Sequence, residues 1–356
     1  MKKINLILFG IGNVGATLLD QLLEAREAWK AEGILLSIPV IAGSEKVLFT
    51  KEDLPADWRE EFREKAQDYN IGSILKFVSE KGFQNLIAID ATASSEFVEN
   101  YIELVRSGFH LVAANKIANS LSAEFYAELR KELKSNNKHF LYETNVGAGL
   151  PVLETLRNLH LSGEKVNRVR GVFSGSLSFI FNRFSESDKS FSEVLKEAGE
   201  FGFTEPDARE DLSGKDVGRK LLILARELRL QKEFSEVDIQ SLIPENLGEN
   251  TSEEEFRRRI PELDEIFQNH KKTQNKNSVL RYIGELSVED AHLETRLVST
   301  PEDSPLGQLR GADNVIEIYT DSYNEYPLVI RGAGAGAAVT ARGLVTDVLK
   351  LSERLN

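Results

Sequence analysis

The feature that most restricts the fold is a glycine pattern near the start of the chain. Gly10, Gly12 and Gly15 spell G-x-G-x-x-G. Ile4 to Phe9 before it is a short, mostly apolar run, as expected of a buried parallel strand. After it, Val14, Leu18, Leu19, Leu22, Leu23 and Ala25 recur at helical spacing, and Ile34 to Ala42 is strand-like again. The first forty residues therefore read as one βαβ unit. In that setting the glycines give a tight turn, close backbone approach to a pyrophosphate, and close packing of helix on strand. The helix start, at Asn13 and Val14, supplies unpaired N–H groups and a partial positive charge to the phosphates. The plainer alternative is a glycine turn with no ligand.

The alternation continues. Asn85 to Ala91 reads as a buried strand, Ser95 to Ser107 as a helix, Phe109 to Ala114 as a strand, Ser122 to Asn136 as a helix, and His139 to Tyr142 as a further strand. Residues 1–145 are thus expected to form a Rossmann-type, doubly wound parallel α/β sheet. Beyond Glu143 the rhythm changes. Pro151 to His160 looks helical, Asn167 to Ser174 strand-like, and two or three helices follow through Leu230. Pro244 to Lys276 is polar and acidic and reads as exposed helices and loop, a peripheral insertion. From Ser278 alternating segments return, so residues 146–331 are expected to be an α+β domain with its own mainly antiparallel sheet. Residues 332–356 begin with a second glycine loop, Gly332, Gly334 and Gly336, followed by a helix from Ala337 to Leu355 that returns to the nucleotide domain. This loop either approaches a cofactor bound elsewhere or simply lets the last helix pack closely.

Composition removes several functions. The 356 residues carry a formal net charge of −13, which argues against a nucleic-acid binder, since that needs a basic stripe. There is no cysteine, so disulfides, thiolate metal sites and thiol nucleophiles are excluded. No apolar run reaches the length of a membrane span, and the short run after Lys2 and Lys3 ends in glycines instead of a cleavage site. A cytoplasmic protein acting on a small molecule is expected. The second strand ends in Ser44, Glu45 and Lys46. Ser44 and Lys46 suit the 2′-phosphate of NADP and Glu45 the ribose hydroxyl of NAD, so the residues lean to NADP without deciding.

The stretch GFTEPDAREDLSGKDVGRK, Gly202 to Lys220, crowds acids towards a lysine at the mouth of the apolar run LLILARELRL. Ser213 is placed to cap that helix, and Asp216 and Lys220, at i and i+4, share one face. The pair is either a surface salt bridge or a proton-transferring pair at the edge of a pocket.

The same stretch resembles the signature of the homoserine dehydrogenases. Other motifs of that family stand in order: FGIGNVG (Phe9–Gly15), DAT (Asp90–Thr92), AANK (Ala113–Lys116), YETNVGAGLP (Tyr142–Pro151), FSGSLSFIFN (Phe173–Asn182) and GAGAGAAVTA (Gly332–Ala341). The resemblance runs nearly end to end and is to the short monofunctional type, without a kinase domain in front or a regulatory domain behind. It implies NAD(P)-dependent interconversion of L-homoserine and L-aspartate 4-semialdehyde, on the route to threonine and methionine. Lys220 would be the general acid/base and Asp216 would hold substrate and orient the lysine. Glu205 would bind the substrate amino group, with Asp211 and Ser176 lining the same site. Lys116 would lie between nicotinamide and substrate, Thr92 would contact the cofactor, and Gly202 and Gly336 would close over it. An alkali cation, sodium or potassium, would sit at Glu143, Val146, Ala148 and Leu150. The family is usually a homodimer through the second domain's sheet. Two departures are mild: Ser176 stands where threonine is common and Ala208 where proline is common. The alternatives are another two-domain amino-acid-pathway dehydrogenase and a non-catalytic NADP-binding regulator, which would be expected to have lost the lysine cluster.

Overall fold

Strand β1 (Lys2–Phe9) opens a seven-stranded sheet with β2 (Ile34–Ala42), β3 (Lys46–Phe49), β4 (Gln67–Asp68), β5 (Leu86–Asp90), β6 (His110–Ala113) and β7 (Phe140–Leu141). The computed structural model describes residues 2–50, 53–248 and 251–355. The strand order is β4-β3-β2-β1-β5-β6-β7. From β2 to β7 all pairings are parallel, and only β3 and β4 join antiparallel at one edge. The central strands are buried on both faces, which is why they read as unbroken apolar runs. The order reverses between β1 and β5, where Phe9 and Asp90 are paired in register. That is the crevice in which such sheets bind ligands.

The helix Asn13–Ala31 packs on this sheet through Leu18, Leu19 and Leu22, beside Leu344, Val345, Val348 and Leu351 of the helix Ala337–Arg354. One compact unit accordingly comprises Met1–Gly149 with Gly336–Asn356, and the other Leu150–Ala335.

The second unit holds β8 (Val166–Val172), β9 (Val237–Ile239), β10 (Ser278–Ser287), β11 (His292–Pro301), β12 (Asp313–Thr320) and β13 (Leu328–Ala333), in the order β13-β12-β8-β10-β11-β9. All neighbours are antiparallel except β11 and β9. The helix Lys215–Glu227 lies on this sheet. A Cβ at Gly284 of β10 would stand 3.0 Å from side-chain atoms of Leu221 and Val217, so glycine there admits close approach of the helix.

Three expectations need correction. The N-cap position of the helix Lys215–Glu227 is not Ser213. Its N-cap is Gly214, left-handed at φ 73°; Ser213, one residue earlier, donates to the Glu210 carbonyl at 2.8 Å and still accepts the Lys215 N–H at 3.3 Å. The chain from Ser95 to Ser107 is two short helices, Ser95–Val98 and Tyr101–Arg106. Between them the Asn100 side chain donates to the Phe97 carbonyl at 3.1 Å and so competes with the helical ladder. The acidic stretch 244–276 is no mere peripheral insertion. Its helices Glu253–Arg259 and Leu263–Thr273 bury Phe256, Leu263 and Phe267, and Phe267 stacks on Phe191 with ring centroids 3.7 Å apart.

Candidate active site

The glycine loop of the nucleotide unit is shaped by close contacts. Gly10 sits at φ 92°, and a Cβ there would meet the Ala91 backbone at 2.8 Å; at Gly15 it would fall 1.9 Å from the Gly10 carbonyl oxygen. Gly12 is different, because a Cβ there would meet nothing within 4 Å. It is the N-cap of the 19-residue helix Asn13–Ala31, with no side-chain cap and no acid in the first turn. Open space over uncapped N–H groups suits a pyrophosphate. Asn13 is exposed and Val14 half-buried at this end.

A cavity of about 880 Å³ lies over the loop, lined by Gly10, Gly12, Ser44, Lys46, Tyr69 and Thr92 among others. Lys46 pairs with Asp68 at 2.6 Å, with both side chains exposed; that hydrogen bond raises the lysine's pKa above its ordinary value. At the far side Asp90 organises two loops. Its carboxylate accepts from the Thr92 N–H at 2.7 Å, the Tyr101 hydroxyl at 2.7 Å and the Asn115 amide at 3.0 Å. Asn115 also donates to the Ser94 carbonyl and accepts from the Ile117 N–H, both at 3.0 Å. Lys116 follows as N-cap of the short helix Ile117–Ser120. Sequence reasoning used Thr92 and Lys116 but missed the carboxylate beneath them. Its signal was an acid ending an otherwise apolar strand.

Glu143 is buried in the turn Glu143–Asn145, and its N–H donates to Asp347 Oδ2 at 2.9 Å. Val146 is buried, and Gly147 and Ala148 take left-handed conformations at φ 82° and 53°. Leu150 begins the second unit. Among the described residues no group of three His, Cys, Asp or Glu could hold a metal ion.

In the second unit Lys220 is buried, at 7% exposure. Its ammonium donates to the Phe173 carbonyl at 2.7 Å and pairs with Asp216 Oδ2 at 2.7 Å. The Asp216 side chain is 47% exposed, so the pair is neither a surface bridge nor a sealed one. A second network lies alongside in sequence. The Ser176 hydroxyl donates to Asp211 Oδ1 at 2.6 Å, and Asp211 Oδ2 accepts the Glu205 N–H at 2.9 Å. Ser176 spends its proton on Asp211, so in the 2.9 Å contact with Ser174 it is Ser174 that donates. Burial pushes the Asp211 carboxyl above its usual range. The bonds from Ser176 and the Glu205 N–H act against that, and the charge of Asp216 adds to it.

The structure thus joins Lys220 to Asp216, and Asp211 to Ser176 and to the backbone of Glu205. The Glu205 side chain is exposed, on the wall of a cavity of about 720 Å³ with Pro206, Asp207 and Phe256. Gly202 ends the helix Phe191–Glu200 in a left-handed turn at φ 72°, and the next N–H, of Phe203, returns to the Ala198 carbonyl. Gly336, at φ 114°, is the N-cap of the last helix.

Comparison with known proteins bears on both units. Residues 10–143 match the family model described as homoserine dehydrogenase, NAD binding domain, and residues 151–349 the model described as homoserine dehydrogenase. A homoserine dehydrogenase of Paracoccidioides brasiliensis is 35% identical, over 100% of this chain and 99% of its own. A chloroplastic bifunctional aspartokinase/homoserine dehydrogenase of Zea mays is 40% identical over 98% of this chain, which spans only 38% of that protein's length. A crystal structure of a Candida auris protein of unknown function superposes with a TM-score of 0.91 at 32% identity, covering 100% of this chain and 99% of the other.

Proposed function

The chain belongs to the homoserine dehydrogenase family, and from that premise we propose that it interconverts L-homoserine and L-aspartate 4-semialdehyde with NADP or NAD, in amino-acid biosynthesis. The observation that carries the reading is the buried Lys220 ammonium, held between the Phe173 carbonyl and Asp216. The nicotinamide, when bound, supplies or takes the hydride. The chain's own task is the proton. Lys220 gives it to the aldehyde oxygen as the carbon is reduced, and takes it from the hydroxyl in the reverse direction. Asp216, half in solvent, orients the lysine, holds substrate and relays the proton onward. The exposed Glu205 carboxylate receives the substrate ammonium. Asp211 fixes Ser176 and the Glu205 backbone so that both meet the substrate in one pose.

Gly10, Gly12, Asn13, Val14 and Gly15 hold the pyrophosphate, Ser44 and Lys46 favour the 2′-phosphate, and Thr92 and Lys116 meet the nicotinamide end. Gly202 and Gly336 close over the cofactor. The turn at Glu143, Val146 and Ala148, continued by Leu150, offers one carboxylate and peptide oxygens, a donor set suited to a hard alkali cation. Pairing into a homodimer is supported by the edge strand β13, where Val329 is exposed, close in sequence to exposed Tyr323 and Tyr326. No helix among the described residues is long and apolar enough to cross a membrane, and we place the enzyme in the cytoplasm. The test is NADPH consumption, followed by the absorbance of the reduced nicotinamide, on adding L-aspartate 4-semialdehyde. Cofactor binding without turnover on NADPH or NADH would refute the enzymatic reading.

A further inference from the structure

Asp90 ends β5 at the crevice, paired in register with Phe9 of β1 and Ala113 of β6. It is 2% exposed. Its hydrogen-bond partners there, the Thr92 N–H, the Tyr101 hydroxyl and the Asn115 amide, all donate to it. Burial pushes its carboxyl above the ordinary range, and these donors act against that by favouring the anion. Among the described residues no lysine, arginine or histidine lies within ion-pair distance of it, so the charge is solvated by neutral dipoles and not cancelled.

That charge reaches the cofactor cavity. Tyr69 on the cavity wall has its hydroxyl pushed above the ordinary range, first by burial and then by the Asp90 charge. Thr92 and Ser94, on the loop that Asp90 secures, line the same cavity. A dinucleotide with its pyrophosphate on the glycine loop and its adenosine ribose at the end of β2 extends its other half across the switch point, over the ends of β5 and β6. The ring there is a cation when oxidised and neutral when reduced.

We propose that the buried Asp90 carboxylate is a redox-biasing residue, which holds the oxidised, cationic nicotinamide cofactor more tightly than the reduced one. Tighter holding of the oxidised form favours hydride donation to the substrate over its return. The inference rests on the functional reading given above, in that the cavity must accept a nicotinamide cofactor.

The test is equilibrium titration of the purified full chain with NADP+ and, separately, NADPH, read by protein fluorescence. Asp90→Asn keeps the shape and removes the charge. It is expected to raise the Kd for NADP+ about three- to tenfold relative to that for NADPH, the effect of one screened charge. Asp90→Glu keeps the charge, and with it the wild-type ratio of the two constants, even if both rise. Ser94→Asp adds a carboxylate at the same rim while keeping a good N-cap for the helix Ser95–Val98; it is expected to tighten NADP+ relative to NADPH, and it carries the test if Asp90→Asn does not fold. An unchanged ratio in Asp90→Asn, or in Ser94→Asp, overturns the proposal while wild-type binding leaves the functional reading intact. Failure of the wild type to bind either nucleotide overturns both.

Discussion

His110, at the start of β6, is buried, and its Nδ1 accepts the His139 N–H at 3.1 Å. Burial, with the charges of Lys138 and His139, pushes its pKa down to about 4. Between an unfolded value near 6.5 and that folded value, the unfolded chain binds a proton that the folded chain refuses. The sign is therefore definite: this contribution is present above about pH 6.5 and is lost as pH falls towards 4, by up to about 3 kcal/mol. Urea titrations from pH 7 to pH 4 are expected to show that loss, and His110→Asn, which keeps an acceptor for His139, is expected to flatten it. Residue-scale features were unevenly legible in the sequence. The i, i+4 rule put Asp216 and Lys220 on one face, and they do pair. The Phe173 carbonyl, 47 residues away, gave no side-chain signal at all, because every residue has a carbonyl. By spacing alone Asp211 was one more acid in a run; the family resemblance put it in one site with Ser176, and the direct 2.6 Å bond between them appears only in the fold.

At the scale of the element, the glycine loop separates two roles that the pattern alone merges. Gly15 has no room for a side chain, since a Cβ would fall 1.9 Å from a backbone oxygen, whereas Gly12 has open space. Gly15→Ala is thus expected to lower the thermal midpoint by several degrees. Gly12→Ala is expected to leave the midpoint within about a degree and to weaken NADPH binding about tenfold or more, as the methyl takes space from the phosphates. Calorimetry and nucleotide titration on the two variants read these separately. Strands of continuous apolar residues were easy to recognise, as β1 and β5 show. The edge strands β3 and β4 were not, being four and two residues long. Helices within 253–273 were expected, but their buried face hid behind the charge, although Phe256, Ile260, Leu263 and Phe267 recur at steps of four, three and four. The cap position shifted for a local reason, because Gly214 adopts the left-handed turn and Ser213 reaches only the first helical N–H, of Lys215, from outside the helix.

For the whole molecule, the chain order matters more than either sheet. The last helix, Ala337–Arg354, supplies fully buried Leu344, Val348 and Leu351 to the core of the first unit. The nucleotide unit is complete only when residues on both sides of the second unit are in place, a non-local arrangement that slows folding. Leu344→Ala is expected to destabilise the protein by about 2–5 kcal/mol, with NADPH binding lost in step with unfolding at intermediate urea. The sequence signalled this return through the helical spacing after Gly336, while the second unit's strand order, which depends on pairings across more than a hundred residues, was beyond it.

Lys220 is proposed to move the proton while the nucleotide unit holds the cofactor. The most direct test compares wild type with Lys220→Ala in two readings on the same preparation, namely kcat for NADPH oxidation by L-aspartate 4-semialdehyde and the Kd for NADPH. Loss of a positioned acid/base predicts a fall in kcat of about a hundredfold or more with the Kd within about twofold of wild type. A variant that turns over at near the wild-type rate would rule out Lys220 as the proton donor.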